Sequence, residues 1–243
     1  MSATSDAVIR VMTWNIHGGV GMDGKFDLAR IVKSIARHAP DVVALQEVDS
    51  RRRPAGGPSP FTFLREAIGH HGIEAKSITT TDGDYGQMVI SRWPLLAVEI
   101  HDITVAEREP RRAIQTDVTA PSGTVRVIAS HFGLKRSERR SQARRLVEMA
   151  RHHPSTTVML GDFNDWLWPH SMRAAPEREL PAHTRHATFH SRWPLLSLDR
   201  VYCWPAGALL RSFVDRNSWL ASDHLALVAD VALGQSSVRA FSS

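Results

Sequence analysis

The sequence predicts an α/β (α+β) protein in which two mixed β-sheets pack together with helices on their outer sides. Three observations lead there. Short apolar runs of strand type recur along almost the whole 243-residue chain, and only a few segments switch to helical spacing. The runs are too many for one doubly wound sheet, and those in mid-chain follow each other as hairpin neighbours do, which calls for mixed sheets. A hydrophobic content of 42% is enough for a substantial core. No linker interrupts the pattern, so residues 1–243 are read as one domain, with a core over 7–234 and a loose tail over 235–243.

In chain order, Ile9–Ile16 is the first strand. Asp27–His38 is a helix, with Leu28, Ile31, Val32 and Ile35 at helical spacing and Pro40 stopping it. Val42–Val48 is a buried strand, and Phe61–His70 is a second helix, with the Pro/Gly-rich loop Arg53–Pro60 between them. Gln87–Ser91, Leu95–Ile100, Ala113–Thr119 and Val125–Phe132 are consecutive strands. Ser137–His153 is a long amphipathic helix with Ser137 as its N-cap. Thr157–Leu160, Leu198–Tyr202, Leu209–Val214 and Leu225–Leu233 complete the strands. The hexapeptide Ser-Arg-Trp-Pro-Leu-Leu occurs at 91–96 and again at 191–196 with unlike flanks. That excludes a solenoid repeat and leaves related turns or coincidence.

The formal charge is +5, which suits an anionic partner such as nucleic acid or a phosphorylated small molecule. Arginine far outnumbers Lys25, Lys33, Lys76 and Lys135, however, and such a bias also follows from genome composition. The single cysteine, Cys203, excludes an intramolecular disulfide and a thiolate metal cluster. Met1 to Ala7 is polar and acidic, and no window of ~18 apolar residues exists, so neither a signal peptide nor a membrane span is expected. The expected compartment is cytoplasmic. Oligomeric state is not legible.

Polar residues stand at the ends of the apolar strands, where a sheet presents them together at one edge. Asn15 and His17 end the first strand, Gln46 and Glu47 close the next, and His131 ends the run that precedes the long helix. Asp162 and Asn164 follow Val158–Leu160, Asp199 lies within Leu198–Val201, and Asp223 and His224 precede Leu225. Singly, each has an ordinary reading: a turn residue for Asp162 after Gly161, a loop cap for Asn15, a packed imidazole for His131. Glu47 resists such a reading, because a buried unpaired carboxylate costs several kcal/mol. The set carries the argument. Carboxylates, carboxamides and imidazoles without cysteine suit Mg²⁺ or Mn²⁺, whereas zinc calls for closer His or Cys clusters.

Five segments, in this order, resemble the endonuclease/exonuclease/phosphatase (DNase I-like) superfamily. They are Thr13-Trp14-Asn15-Ile16, Leu45-Gln46-Glu47-Val48, Gly161-Asp162-Phe163-Asn164, Leu198-Asp199-Arg200-Val201 and Ser222-Asp223-His224. The resemblance spans Val11 to Val231, and small bacterial members are similar in style. It implies a four-layer α/β sandwich with two central mixed β-sheets flanked by helices, and a metal-dependent hydrolase acting on phosphoesters. By the same resemblance Glu47 is the main metal carboxylate, with Asn15 touching metal or phosphate and Asp223 a second metal contact. Asp162 orients or deprotonates the attacking water, and Asn164 steadies the phosphoryl group. His224 is the essential histidine, Asp199 fixes its tautomer, and His131 is a second acid/base imidazole. Arg111 or its neighbour Arg112 faces phosphate, and Tyr85 is either a phosphate contact or a packing residue. Trp14, Trp93 and Trp193 are read as core or turn packing.

Departures from the family pattern bear on substrate. Repair-type members usually carry Asp at the position of His17, inositol phosphatases carry Cys before the Asp-Arg pair, and secreted sphingomyelinases carry a leader and an aromatic hairpin. The run Lys135–Arg145, with Arg136, Arg140 and Arg144 on one helical face, is either a guide for an anionic backbone or lipid surface, or a solvated face. The leading expectation is a phosphodiesterase that uses Mg²⁺ (or Mn²⁺), with nucleic acid as first-choice substrate. The alternatives are a phosphatase or lipid-headgroup phosphodiesterase at the same centre, and a non-catalytic binding module on the same fold.

Overall fold

The structure is a computed structural model and describes residues 8–69, 71–151, 156–166 and 173–234. The N-terminal residues 1–7, the expected loose tail 235–243, and the expected ends of two helices at His70 and His153 lie outside the described residues.

The elements run β1 (Val8–Asn15), α1 (Leu28–Ala36), β2 (Val42–Asp49), α2 (Pro60–Ile68), β3 (His71–Thr80), β4 (Gly83–Ser91), β5 (Leu95–Asp102), β6 (Arg112–Ala120) and β7 (Gly123–His131). They continue with α3 (Arg136–Ala150), β8 (Thr156–Asp162), α4 (Ala174–Glu179), β9 (Ala182–His183), β10 (Asp199–Trp204), β11 (Leu209–Asp215) and β12 (Ala226–Ala232). They form two six-stranded mixed sheets, ordered β11-β12-β1-β2-β4-β3 and β5-β6-β7-β8-β10-β9. Each sheet has one parallel pair, β1 with β2 and β7 with β8, among antiparallel neighbours.

The two-residue period of a strand explains how four layers arise from this sequence. In β1, Ile9 and Val11 point into the core between the sheets, while Met12 and Trp14 point outward under the helices. Val42 and Ala44 of β2 face inward, and Val43 and Leu45 outward against Ile31 and Ile35 of α1 and Phe61 and Leu64 of α2. The second sheet repeats the scheme: Val158 and Leu160 of β8 face the first sheet, and Met159 packs under Leu146 and Ala150 of α3. Central strands are therefore buried on both faces, which is why they read as unbroken apolar runs. Cys203 of β10 lies in the inter-sheet core and is fully buried.

Three elements escape the sequence pattern. Strand β3 is an edge strand with only Ala75 buried, so it lacks a hydrophobic signal. Helix α4 and strand β9 span six and two residues, too short for a period to show. The N-cap of α3 is Lys135, without a side-chain cap, so Ser137 lies inside the helix. The repeated hexapeptide serves two different turns. At 91–96 it carries the chain from β4 in one sheet to β5 in the other, and Trp93 packs against the inter-sheet core. At 191–196 it forms a hairpin tip closed by the bridge of Phe189 to Leu196, and Trp193 is 75% exposed. Trp193 is thus a turn residue but not a core residue. Among the described residues no helix is long and apolar enough to cross a membrane.

Candidate active site

The ends of β1, β2, β7 and β8 and the starts of β10 and β12 meet at one edge of the sandwich. In the second sheet, Asp162 pairs in register with His131 on one side and Asp199 on the other. In the first sheet, Asn15 pairs with Gln46, and His224 precedes β12, which neighbours β1. Both sheets therefore deliver side chains to one place.

Asp162 Oδ2 is the centre of that place. It accepts a hydrogen bond from Asn15 Nδ2 at 3.0 Å and lies 3.6 Å from His131 Nε2 and 3.7 Å from His224 Nε2. Its other oxygen accepts the Asn164 backbone N–H at 2.9 Å, a turn that a short carboxylate makes readily. Burial raises the Asp162 pKa to about 6; Asp199 adds to this, while His224 and the Asn15 hydrogen bond oppose it.

The two imidazoles are in opposite states. Burial works against a charge on His224, but Asp199 and Asp162 outweigh it and lift its pKa to about 10. His224 Nδ1 therefore donates to Asp199 Oδ2 at 2.8 Å as part of an imidazolium. Phe189 lies against that ring, with centroids 4.9 Å apart, and Trp14 Nε1 donates to the His224 carbonyl at 2.9 Å. His131 is held well below the ordinary histidine value by burial, by Arg111 and by His224, and is neutral. Arg111 Nη1 lies 3.2 Å from His131 Nδ1. A guanidinium only donates, so Nδ1 is the acceptor and the ring proton sits on Nε2, facing Asp162.

Glu47 owes its position to a break in β2. The pairing of β2 with β4 shifts between Leu45 and Val48, and Glu47 has a φ of +55°. His17 (+49°) and Asn164 (+52°) share this left-handed backbone, which non-glycine residues adopt at a cost of order 1–3 kcal/mol. Glu47 Oε1 accepts from Asn15 Nδ2 at 2.9 Å and lies 3.9 Å from His131 Nε2.

Arg111 and Arg112, undecided in the sequence, diverge. Arg112 turns to Asp102 and Thr104. Arg111 is buried beside His131, pairs with Glu109 at 3.0 Å, and leaves its Nε without a hydrogen-bond partner. Tyr85 lies under Arg51, 5.1 Å from its ring centroid, and burial followed by the Glu47 charge pushes its hydroxyl above the usual phenol value. Asn164 donates from Nδ2 to the Phe132 carbonyl at 2.9 Å. Among the described residues the Asp223 carboxylate accepts only from Ser222 Oγ, at 3.3 Å, and no hydrogen bond joins it to Glu47 or Asp162. Trp14 and Phe189, which brace His224, were not read from sequence as site residues; Phe189 gives no signal there at all.

Two groupings could hold a cation. Ligand atoms of Asp162, Asp199 and His224 all lie within 4.8 Å of one another. All three are buried, and the shortest contact there is already the hydrogen bond of His224 to Asp199. Mg²⁺ and Mn²⁺ keep several waters and bind through one or two carboxylates. Glu47, 27% exposed and beside Asp162 through the shared Asn15 amide, fits that habit better.

A family model described as the Endonuclease/Exonuclease/phosphatase family matches residues 12–224. The chain is 28% identical over 249 aligned residues to the uncharacterized protein YbhP of Escherichia coli, covering 95% of this chain and 98% of that one. Among solved structures, an endonuclease/exonuclease/phosphatase from Beutenbergia cavernae superposes with a TM-score of 0.76 at 24% identity, over 94% of this chain and 72% of that one. TDP2 of D. rerio, complexed with single-strand DNA product, superposes with a TM-score of 0.64 at 18% identity, over 93% and 99% of the two chains. At these identities the superpositions speak for the fold, a two-sheet DNase I-like sandwich.

Proposed function

The chain belongs to the endonuclease/exonuclease/phosphatase family, and from that premise we propose that it is a divalent-metal-dependent phosphodiesterase in which water attacks phosphorus directly, with nucleic acid as substrate. The observation that carries this reading is the environment of Asp162: a buried carboxylate whose pKa burial raises to about 6, with His131 Nε2 at 3.6 Å and His224 Nε2 at 3.7 Å.

In this reading Asp162 Oδ2 accepts a proton from the attacking water as the new P–O bond forms. The bond to the leaving oxygen breaks, and that oxygen takes the proton of His224 Nε2. The proton on Asp162 then returns to His224 across their 3.7 Å separation, and the net reaction is addition of one water. Asp199 keeps His224 oriented and charged between turnovers. The His131 Nε2–H, the unpartnered Nε of Arg111, the second amide proton of Asn164 and the Tyr85 hydroxyl are the donors available to the phosphoryl oxygens. Mg²⁺ or Mn²⁺ at Glu47, with Asn15 beside it as a further contact, would supply charge neutralisation at the phosphoryl group.

Nucleic acid is favoured by the cations near the site. Arg136, Arg140 and Arg144 are exposed on α3, which starts shortly after His131, and Arg51 to Arg53 follow β2 directly. Arg139 of the same run is buried, so the helix presents one basic face, as a backbone guide requires. The DNA-bound TDP2 neighbour is in keeping with this choice. A lipid-headgroup diester is the second reading, favoured by Trp193 and Leu195, 75% and 85% exposed on the hairpin whose Phe189 touches His224.

The test compares labelled single- and double-stranded DNA with bis-p-nitrophenyl phosphate in Mg²⁺ or Mn²⁺, with Asp162→Asn as control. Oligonucleotide cleavage lost in the variant is the expected result. Cleavage of the small diester alone would move the substrate to lipid headgroups or small phosphoesters. Absence of metal-dependent turnover on all of them would leave a phosphomonoesterase or a binding module.

A further inference from the structure

We infer that the outer side of the second sheet carries a separate anion site, centred on Arg200 and built for a phosphate group. Arg200 follows Asp199 in β10, so the strand period turns the two side chains to opposite faces. Asp199 serves His224 on one face. Arg200, 3% exposed, lies on the other, lining a cavity of about 290 Å³.

Among the described residues the guanidinium of Arg200 makes no ion pair, and the charges of Asp165 and Glu177 reach it only at longer range. It makes one long hydrogen bond, Nη1 to the Thr184 carbonyl at 3.3 Å, and its Nε has no hydrogen-bond partner among the described residues. No carboxylate lies within ion-pair distance of it among the described residues. The nearest acidic groups serve others: Asp165 accepts from Arg173 at 3.1 Å, and Glu177 lies 3.6 Å from His183. A buried cation without a partner is costly enough that proteins either pair it or reserve it for a ligand. Burial accordingly lowers the affinity of Arg200 for its own proton.

The walls of the cavity suit an oxyanion. Arg173, Arg185 and Ser197 line it with Arg200, against one acidic wall residue, Glu177. Arg185 is exposed at the mouth, and among the described residues its side chain bonds only the His183 ring, at 3.1 Å. The Tyr202 hydroxyl, next on the same strand face, is also buried without a partner. Forked guanidinium donors and a hydroxyl are the groups that recognise tetrahedral oxyanions. At about 30 Å³ per water the cavity holds such an ion with several waters. The phosphate is either free inorganic phosphate or the terminal monoester of a larger ligand.

Binding of inorganic phosphate to the metal-free protein, followed by calorimetry and by thermal shift, tests this. Arg111→Met serves as the background, so that the catalytic cleft has lost its own buried guanidinium. Saturable binding is expected there, weakened roughly tenfold or more by Arg185→Gln and abolished by Arg200→Met. Competition by a 5′-phosphorylated dinucleotide but not by its unphosphorylated form would identify a terminal monoester as ligand. Binding of inorganic phosphate alone would identify the free ion. Phosphate binding unchanged by both Arg185→Gln and Arg200→Met, or no saturable binding in the Arg111→Met background, would overturn the inference. Because Arg185 is exposed, that arm stands even if Arg200→Met fails to fold.

Discussion

Asn15 Nδ2 donates to Asp162 Oδ2 at 3.0 Å, and this bond ties the end of β1 in one sheet to the end of β8 in the other. The same amide nitrogen reaches Glu47 Oε1 at 2.9 Å, so one carboxamide spaces two carboxylates that would otherwise repel. Asn15→Ala leaves Asp162 buried with one donor fewer. We expect the variant to fold, to lose about 1–3 kcal/mol of stability, and to drop at least about a hundredfold in turnover. Urea unfolding with steady-state kinetics on one diester checks both. Full activity in the variant would remove Asn15 from the site.

The charge on His224 makes stability depend on alkaline pH. Its folded pKa, about 10, lies above the value of about 6.5 for an unfolded histidine. Its contribution is therefore fully present below about 6.5 and is lost as pH rises through about 10. Asp199→Asn keeps an acceptor oxygen but removes the negative charge that does most to raise this pKa, so the variant should lose less stability than the parent between about pH 6.5 and 10. The difference should be of the order of a few kcal/mol in chelator-treated protein. Parallel curves for the two proteins would mean that His224 is not held as an imidazolium.

How much of this could be read in the sequence depends on what each feature needs. The central strands announce themselves because they are buried on both faces, and Asp162, His131 and Asp199 stand at strand ends where register alone brings them together. Glu47 is legible as a strand-end carboxylate, but the bulge and left-handed backbone that aim it leave no mark in residue order. Strand β3 stayed hidden because its outer position demands little burial. The basic run looked uniform in sequence; tertiary packing divides it, drawing Arg139 inward toward Asp165 and leaving Arg136, Arg140 and Arg144 outside.

Gly161 fixes the approach of β8 to β7. It has a φ of +153° and pairs with Ser130, and a Cβ on it would run into the Ser130 carbonyl oxygen. Backbone cannot give way as a flexible side chain can, and this register sets His131 opposite Asp162. Gly161→Ala should cost more than about 3 kcal/mol or abolish soluble folding. Thermal unfolding by circular dichroism reads the loss, and a Tm within a few degrees of the parent would show that the two strands can part at little cost.

Arg111 sets the tautomer of His131. Its guanidinium, 3.2 Å from Nδ1, occupies the lone pair on that nitrogen and keeps the proton on Nε2. Its charge also opposes protonation of the ring, second only to burial. Arg111→Met retains the aliphatic bulk but removes both effects. The His131 pKa should rise, and the proton should no longer be confined to Nε2, which ¹⁵N shifts of the ring nitrogens report directly. If the reading of Arg111 as a phosphate donor is also right, KM rises by about tenfold or more, because a charge-assisted hydrogen bond to substrate is lost. A changed tautomer with unchanged kinetics would separate the two roles, leaving Arg111 as a positioning residue for His131 alone.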